Sequence, residues 1–307
     1  MTSECPPTID PAAALRWRHM SAETSPWLHE EVARRMAERL DIIRLQPGAW
    51  ADWEPLRGGL QGHALIARRY PDAACFVMNP LASHDKLASK NIAKPWWNPD
   101  RWRGAATRFE APPESGVQML WANMALHMAT DPQALIAAWH KALAVDGFVM
   151  FSCLGPDTLR ELRHVYHRQG WPAPTHQFTD MHDWGDMLVG AGFAEPVMDM
   201  ERITLSFETP ERLLAELRTL GRNLHPARFA GLRGRAWQKR LHAGLSEGLS
   251  NPAESGRLTL TFEVIYGHAL KPARRLQMEP QTTLSLDEMR MALRRGKRAD
   301  PAGKPVV

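Results

Sequence analysis

Apolar positions recur along the chain with two periods, and the changes between them mark out the elements. Over 28–45 the spacing is three to four, with Val32, Met36, Leu40 and Ile43 on one side, which predicts an amphipathic helix. Pro47-Gly48 ends it. A short strand is expected at 49–53, then the glycine-containing turn PLRGGLQG and a helix over 61–69. Residues 74–78 and 117–122 read as short apolar strands. Asp131 starts a helix that runs to Leu143, and Asp146-Gly147 turns the chain into a strand over 148–153. Helices follow at 157–168, 180–190 and 210–220, with extended segments at 197–207 and 258–268. Residues 80–115, rich in Trp and Pro, show no clear period, and the proline-bearing segment 1–26 reads as a loose lead-in. Strands alternating with helices predict an α/β fold, a mostly parallel sheet covered on both faces. The long extended segments near the end break that order, as an antiparallel edge would.

Composition narrows the class. The chain has 307 residues, 44% hydrophobic and 23% charged, which fits an ordinary globular protein and excludes a mostly disordered or fibrous one. No apolar run exceeds 147–154, far short of a membrane span. The N-terminus has no apolar core behind a basic start, so no secretory signal is expected. Cys5, Cys75 and Cys153 lack metal or disulfide spacing, and a reducing cytoplasm is the expected location. The net charge of +4 is uneven: +7 over 212–240 and +5 over 271–307, leaving −8 for the rest. Such basic segments suit an acidic partner, a nucleic acid or an anionic surface, or else a solvated face. Over 212–240 the basic residues interleave with Leu213, Leu217, Leu220, Leu224 and Trp237, so this segment should pack on the body.

Candidate chemistry is sparse. Ligands of doubly wound sheets bind at the carboxyl ends of the strands. The first strand–turn–helix runs from Asp52 to Gly62 and has Glu54 and three glycines, but Pro55, Leu56 and Arg57 interrupt them. A nucleotide-type turn wants an acid and glycines that allow close backbone approach; an ordinary surface turn is the alternative. Asn79 ends the second strand, where an acid would accept both ribose hydroxyls. Asn123, after a strand, either holds a ligand carboxylate or amine or caps a turn. His164 and His167 share a helix face and are expected exposed; Cys153 reads as buried and inert. Trp96, Trp97 and Trp102 lie among Lys94, Arg101 and Arg103, suited to stacking on bases or to a lid over an apolar pocket. No Ser–His–Asp or paired-carboxylate arrangement stands out.

Several segments resemble one family. LHEEVARRMAERLDIIRLQP, the run LWANMALHMATDPQALIAAWHKALAVDGFVMFSCLGPDTLRELR, FTDMHDWGDMLVGAGFAEPVMDMERITL and TFEVIYGHALKP are similar to the malonyl-carrier-protein O-methyltransferases of biotin synthesis. These are class I methyltransferases that use S-adenosylmethionine. The resemblance spans 28–272. It implies a Rossmann-like sheet of seven strands with one antiparallel, in a methyltransferase-like domain over 27–272. A loose segment 1–26 would precede it, and a basic, disordered tail 273–307 would follow. It implies methylation of the free carboxyl of malonyl-acyl carrier protein. The partner is then acyl carrier protein or another acidic protein, with no metal, membrane or nucleic acid.

The departures fall on the cofactor site. The family turn, D-x-G-x-G-x-G, puts its acid on Glu54 and its glycines on Leu56, Gly58 and Leu60. The ribose-binding acid is Asn79, the adenine acid falls at 105–106, and the Tyr of the N-terminal substrate helix falls near Ala22. The Gln-Trp after the fourth strand is His127-Met128, and the Arg before the Phe of the DMHD stretch is Gln177. The resemblance thus assigns S-adenosylmethionine to Glu54, Gly58, Asn79 and Asn123, with weakened or lost affinity. Leu56 and Leu60 are expected to crowd its amino-acid end. Substrate or partner contacts fall to His127, Gln177, Arg218, Arg222, Arg233, Arg235 and Arg240. The alternative is a catalytically impaired relative that serves as a binding or assembly protein.

Overall fold

Strand β1 (Ala49–Trp53) lies inside the sheet, and its three middle residues, Trp50, Ala51 and Asp52, are all buried. A strand covered on both faces needs no polar side, so its sequence does not alternate. The computed structural model describes residues 9–20, 24–93 and 106–273. In parallel with β1 run β2 (Ala74–Met78) on one side and β4 (Val117–Ala122) on the other. Parallel outside these run β3 (Thr107–Arg108) and β5 (Leu143–Leu154). Beyond β5 come two 14-residue strands, β6 (Ala194–Phe207) and β8 (Arg257–Leu270). β8 runs antiparallel to both β5 and β6. The order is β3-β2-β1-β4-β5-β8-β6, so one strand of seven opposes the rest. An eighth, two-residue β7 (Ser250–Asn251) pairs with β8. The strand order turns back between β1 and β4, which makes their carboxyl ends the switch point of the sheet.

Successive strand residues point to opposite faces, and each face has its own core. Trp50, Met119, Trp121 and Phe148 pack on one side under α2 (Trp27–Glu38), α4 (Leu60–Arg69), α7 (Arg160–Arg168) and α10 (Arg235–Leu249). Ala51, Leu120, Val149 and Phe151 pack on the other under α6 (Pro132–Ala142) and α8 (Met181–Gly190). The helix starts follow their capping residues. Asp131 accepts from Ala134 N with Pro132 at the first position, and Asp180 accepts from His182 N. Thr209 does the same for α9 (Pro210–Leu220). Among the described residues, no helix is long and apolar enough to cross a membrane. Cys75 and Cys153 are buried thiols, and His164 and His167 are exposed, as expected.

Two expectations change, and two stretches without a predicted element prove helical. Residues 11–19 are not loose but form α1 (Pro11–His19): Asp10 accepts from Ala12 N and Ala13 N, and Ala13 and Ala14 pack on Leu224. The helix read over 28–45 stops at Glu38 and gives way to a tighter 3₁₀ turn, Arg39–Ile42, that buries Leu40 and leaves Ile42 in solvent. Residues 82–92, without visible period, form α5 (Ala82–Ile92), which buries only His84 and Ala88. The basic segment continues into α10, which packs through Leu241, Leu245 and Leu249. The tryptophan cluster over 96–102, Ala22 and the tail from 274 lie outside the described residues.

Candidate functional site

The turn after β1 sets the site. Glu54 adopts a left-handed conformation, φ 59° and ψ 52°, before a single helical turn, α3 (Pro55–Gly58). Glycine takes that conformation freely, whereas it is uncommon for a side chain. The acid-and-glycine pattern therefore falls with its acid on Asp52 and its glycine positions on Glu54, Leu56 and Gly58, two residues upstream of the sequence alignment. Gly58 is the close approach: a Cβ there would lie 2.9 Å from the Asn123 carbonyl oxygen. Asp52 does not line the cavity at this turn. Its Oδ2 meets His63 Nδ1 at 2.7 Å, and both residues are buried. Burial pushes the Asp52 carboxyl up, and His63 draws it back.

A cavity of about 320 Å³ opens at the carboxyl ends of β1, β2 and β4. Glu54, Arg57 and Gly58 line it from the turn, Met78 and Pro80 from the end of β2, and Trp17 and Arg18 from α1. Leu56 and Leu60 do not line it; Leu56 is buried in the core and Leu60 packs against that core, so neither crowds the cleft. Desolvation pushes the Glu54 carboxyl up, opposed by the Arg57 and Arg18 guanidiniums. Arg57 also ties α1 down. Its Nη2 donates to the carbonyls of Trp17 and Met20, both at 2.7 Å, and its guanidinium lies 4.0 Å from the Trp17 ring centroid. The other end of α1 is held by an Asp10–Arg228 ion pair and by Asp10 N donating to Leu224 O at 2.9 Å.

Two expected cofactor residues take other parts. Asn79 lies between two lining residues but is not one itself. Its Nδ2 donates to Asp85 at 3.1 Å, and its Oδ1 is buried without a protein partner. Asn123 lines the cavity, but its carboxamide is fully engaged. Nδ2 donates to His29 O at 2.8 Å and to Gly58 O, and Oδ1 accepts from the Ser152 hydroxyl at 2.6 Å. These bonds tie the turn after β1 to α2 and β5, and Asn123 still borders the cavity.

A second cavity of about 240 Å³ shares Met128 and Leu220 with the first. Its walls are largely apolar, and His127, His176, Arg218 and Arg222 also line it. Gln177 is exposed and lines neither cavity, because the chain turns its neighbours His176 and Phe178 inward instead. Arg233, Arg235 and Arg240 also lie outside both. Arg233 sits 4.1 Å from the ring centroids of Phe229 and Trp237, beside fully exposed Leu232; Arg235 and Arg240 are exposed on α10.

Sequence reasoning missed His29, His176, Trp17 and Arg57. The Asp10-Pro11 start signal was the one visible pointer to the helix that carries Trp17. His29 Nδ1 lies 2.7 Å from Arg57 O, and burial pushes His29 down to about 4. Burial lowers His127 and His176 as well, so all three rings are neutral at neutral pH. Among the described residues, no group of three or more His, Cys, Asp or Glu is arranged for a metal ion.

No protein-family model matches the chain. Curated relatives do. The malonyl-[acyl-carrier protein] O-methyltransferase of Laribacter hongkongensis is 38% identical over 257 residues, 81% of this chain and 84% of its own. That of Gallionella capsiferriformans is 38% identical over 271 residues, 84% of this chain and 88% of its own. Among solved structures, the YcgJ protein from Bacillus subtilis aligns at TM-score 0.51 and 12% identity, covering 80% of this chain and 99% of that one. A candidate methyltransferase from Bacillus halodurans aligns at 0.50 and 15%, covering 78% and 100%. These structures speak for the fold, an α/β sheet of the class I methyltransferase type. With curated relatives at this identity matched over more than four-fifths of each chain, the chain belongs to the malonyl-[acyl-carrier protein] O-methyltransferase family.

Proposed function

We propose that the chain is a cytoplasmic enzyme of biotin synthesis. It transfers a methyl group from S-adenosylmethionine to the free carboxyl of a malonyl thioester on acyl carrier protein. The observation that carries this reading, beside family membership, is the pair of adjoining cavities that meet at Met128 and Leu220. The first suits the cofactor. It lies at the switch point of the sheet, has an acid, Glu54, for a cationic ligand, and offers Met78 and Pro80 as apolar surface for a base. Glu54 and Gly58 would hold the amino-acid end, while Asn79, turned to Asp85, leaves the ribose without an acidic partner. S-adenosylmethionine supplies an electrophilic methyl group when bound. The nucleophile needs no base, because a carboxylate is ionised at neutral pH. The chain's task is to position it and exclude water. The binding-only alternative would stand on a cleft filled by its own side chains together with no cofactor binding, and the open cleft does not meet the first condition.

Arg218 and Arg222 at the second cavity, with Arg233, Arg235 and Arg240 outside it, form the basic surface for an acidic carrier protein. The test is calorimetry with S-adenosylmethionine and S-adenosylhomocysteine, followed by label transfer to malonyl-carrier protein. Binding of both and esterification of the carrier are expected. No binding heat together with no ester would reject the reading.

A further inference from the structure

The stretch 217–246 is charged one way only. It carries seven arginines and lysines and no acid. Arg228 is paired with Asp10, whereas Arg233, Arg235, Lys239 and Arg240 have no acidic partner among the described residues. Amid these cations stand two exposed apolar side chains, Phe229 and the fully exposed Leu232. A ladder of rings ties their loop to the body. Buried Tyr166 meets Trp171 edge to face at 5.1 Å between ring centroids, Trp171 meets Trp237 at 4.4 Å, and Trp237 stacks with Phe229 at 6.0 Å and 22°. The Arg233 guanidinium lies against both outer rings. Trp171 in turn sits on Gly244 of α10, where a Cβ would approach its ring to 3.4 Å. A lone exposed leucine is ordinary, but two apolar side chains beside a fixed aromatic platform and rimmed by cations mark an interaction site.

The occupant must bring negative charge and an apolar recess. A second copy brings no such charge: a two-fold contact sets this surface against itself, cation against cation. A phosphate backbone brings the charge and leaves Leu232 in water. A bilayer needs a broad apolar face, and the one that α10 has, Leu241, Leu245 and Leu249, is turned into the core. An acidic protein meets both demands. We propose that Leu232 and Phe229 form the apolar anchor of a docking surface for an acidic protein: Leu232 enters a recess of the partner, and Arg233, Arg235 and Arg240 pair with the acids around it. That the partner is acyl carrier protein rests on the proposed function. The anchor goes beyond that reading, because charge brings the partner near and apolar burial holds it.

The test measures binding of malonyl-carrier protein to the full chain at low and at high ionic strength. Leu232→Ser should weaken it about tenfold at both, mainly through faster dissociation, since apolar burial is not screened by salt. Leu232→Met should restore most of the affinity. Arg233→Glu, Arg235→Glu and Arg240→Glu together should weaken binding at low ionic strength and much less at high. The melting temperature of Leu232→Ser should match that of the unaltered protein, because Leu232 is fully exposed when no partner is bound. No binding of the carrier by the unaltered protein, equal affinity in Leu232→Ser, or a loss that high salt removes would overturn the anchor. So would a dimer of the unaltered protein, seen in sedimentation, that Leu232→Ser dissolves. Carrier held through Leu232 but not esterified would count against the proposed function and leave the docking surface standing.

Discussion

Asn123 shows how one side chain can hold a site without touching what the site binds. Its carboxamide joins the carbonyls of His29 and Gly58 to the Ser152 hydroxyl. Asn123→Ala removes three hydrogen bonds from a buried network, and a loss of about 2–4 kcal/mol in urea unfolding is expected. Leu56 gives the opposite lesson. Restoring a glycine there, as the family pattern invites, empties a core position and should cost roughly 3 kcal/mol while leaving S-adenosylhomocysteine affinity unchanged. Calorimetry showing tighter binding in Leu56→Gly would contradict this. The two-residue misplacement of the turn has a physical origin: the sequence places the acid on Glu54 because glutamate is an acid, and only the backbone reveals that this position needs a positive φ. Titration follows from the same buried residues. His29 takes its proton at about 4 when folded, against 6.5 when free. Its contribution is intact above pH 6.5 and lost as pH falls toward 4, because the unfolded chain then binds a proton that the folded chain refuses. The loss is of order 3 kcal/mol, with His127 and His176 acting in the same direction. Glu54, raised by burial, acts oppositely: its contribution is present at low pH and lost as pH rises through its folded value. Urea midpoints at pH 7 and pH 4.5 should therefore separate clearly in the parent and less in His29→Gln.

Strands and helices differed in how openly the chain announced them. β1, β2 and β4 coincide with the expected strands because burial on both faces leaves a short, unbroken apolar run. The helix of 82–92 stayed hidden because its two fully buried residues are a histidine and an alanine, and Leu87 and Ile92, which pack on the core only in part, are too few to mark an apolar period. α10 stayed hidden for another reason: arginines dominate its first turns, while Leu241, Leu245 and Leu249 come later. Contact between α2 and α4 explains a glycine that pattern reading passes over. A Cβ on Gly62 would lie 2.5 Å from Ala33 Cβ, and Gly62 N donates to Glu30 at 3.0 Å in the first turn of α4. Alanine improves helix propensity by about 1 kcal/mol, but forcing the helices apart costs about 1–3 kcal/mol. Gly62→Ala should therefore lower the melting temperature, and an unchanged or higher value would show that α2 can move away.

At the scale of the whole molecule, charge and fold do separate work. The sheet and its two cores follow from apolar spacing, whereas the cavities arise where turns and helix ends meet, which no single window of sequence contains. The basic residues that skirt the second cavity should speed capture of an acidic partner, an attraction that fades with salt. Replacing Arg233, Arg235 and Arg240 together with Glu should lower the association rate with carrier protein at low ionic strength and matter much less at high. An unchanged rate at low salt would reduce those arginines to a solvated face. The fastening of α1 bears on preorganisation. Arg57 holds its last carbonyls and Arg228 its N-cap residue Asp10, so the wall that Trp17 and Arg18 give the first cavity is tied at both ends. A wall set in place beforehand spares an arriving molecule the entropy of ordering it.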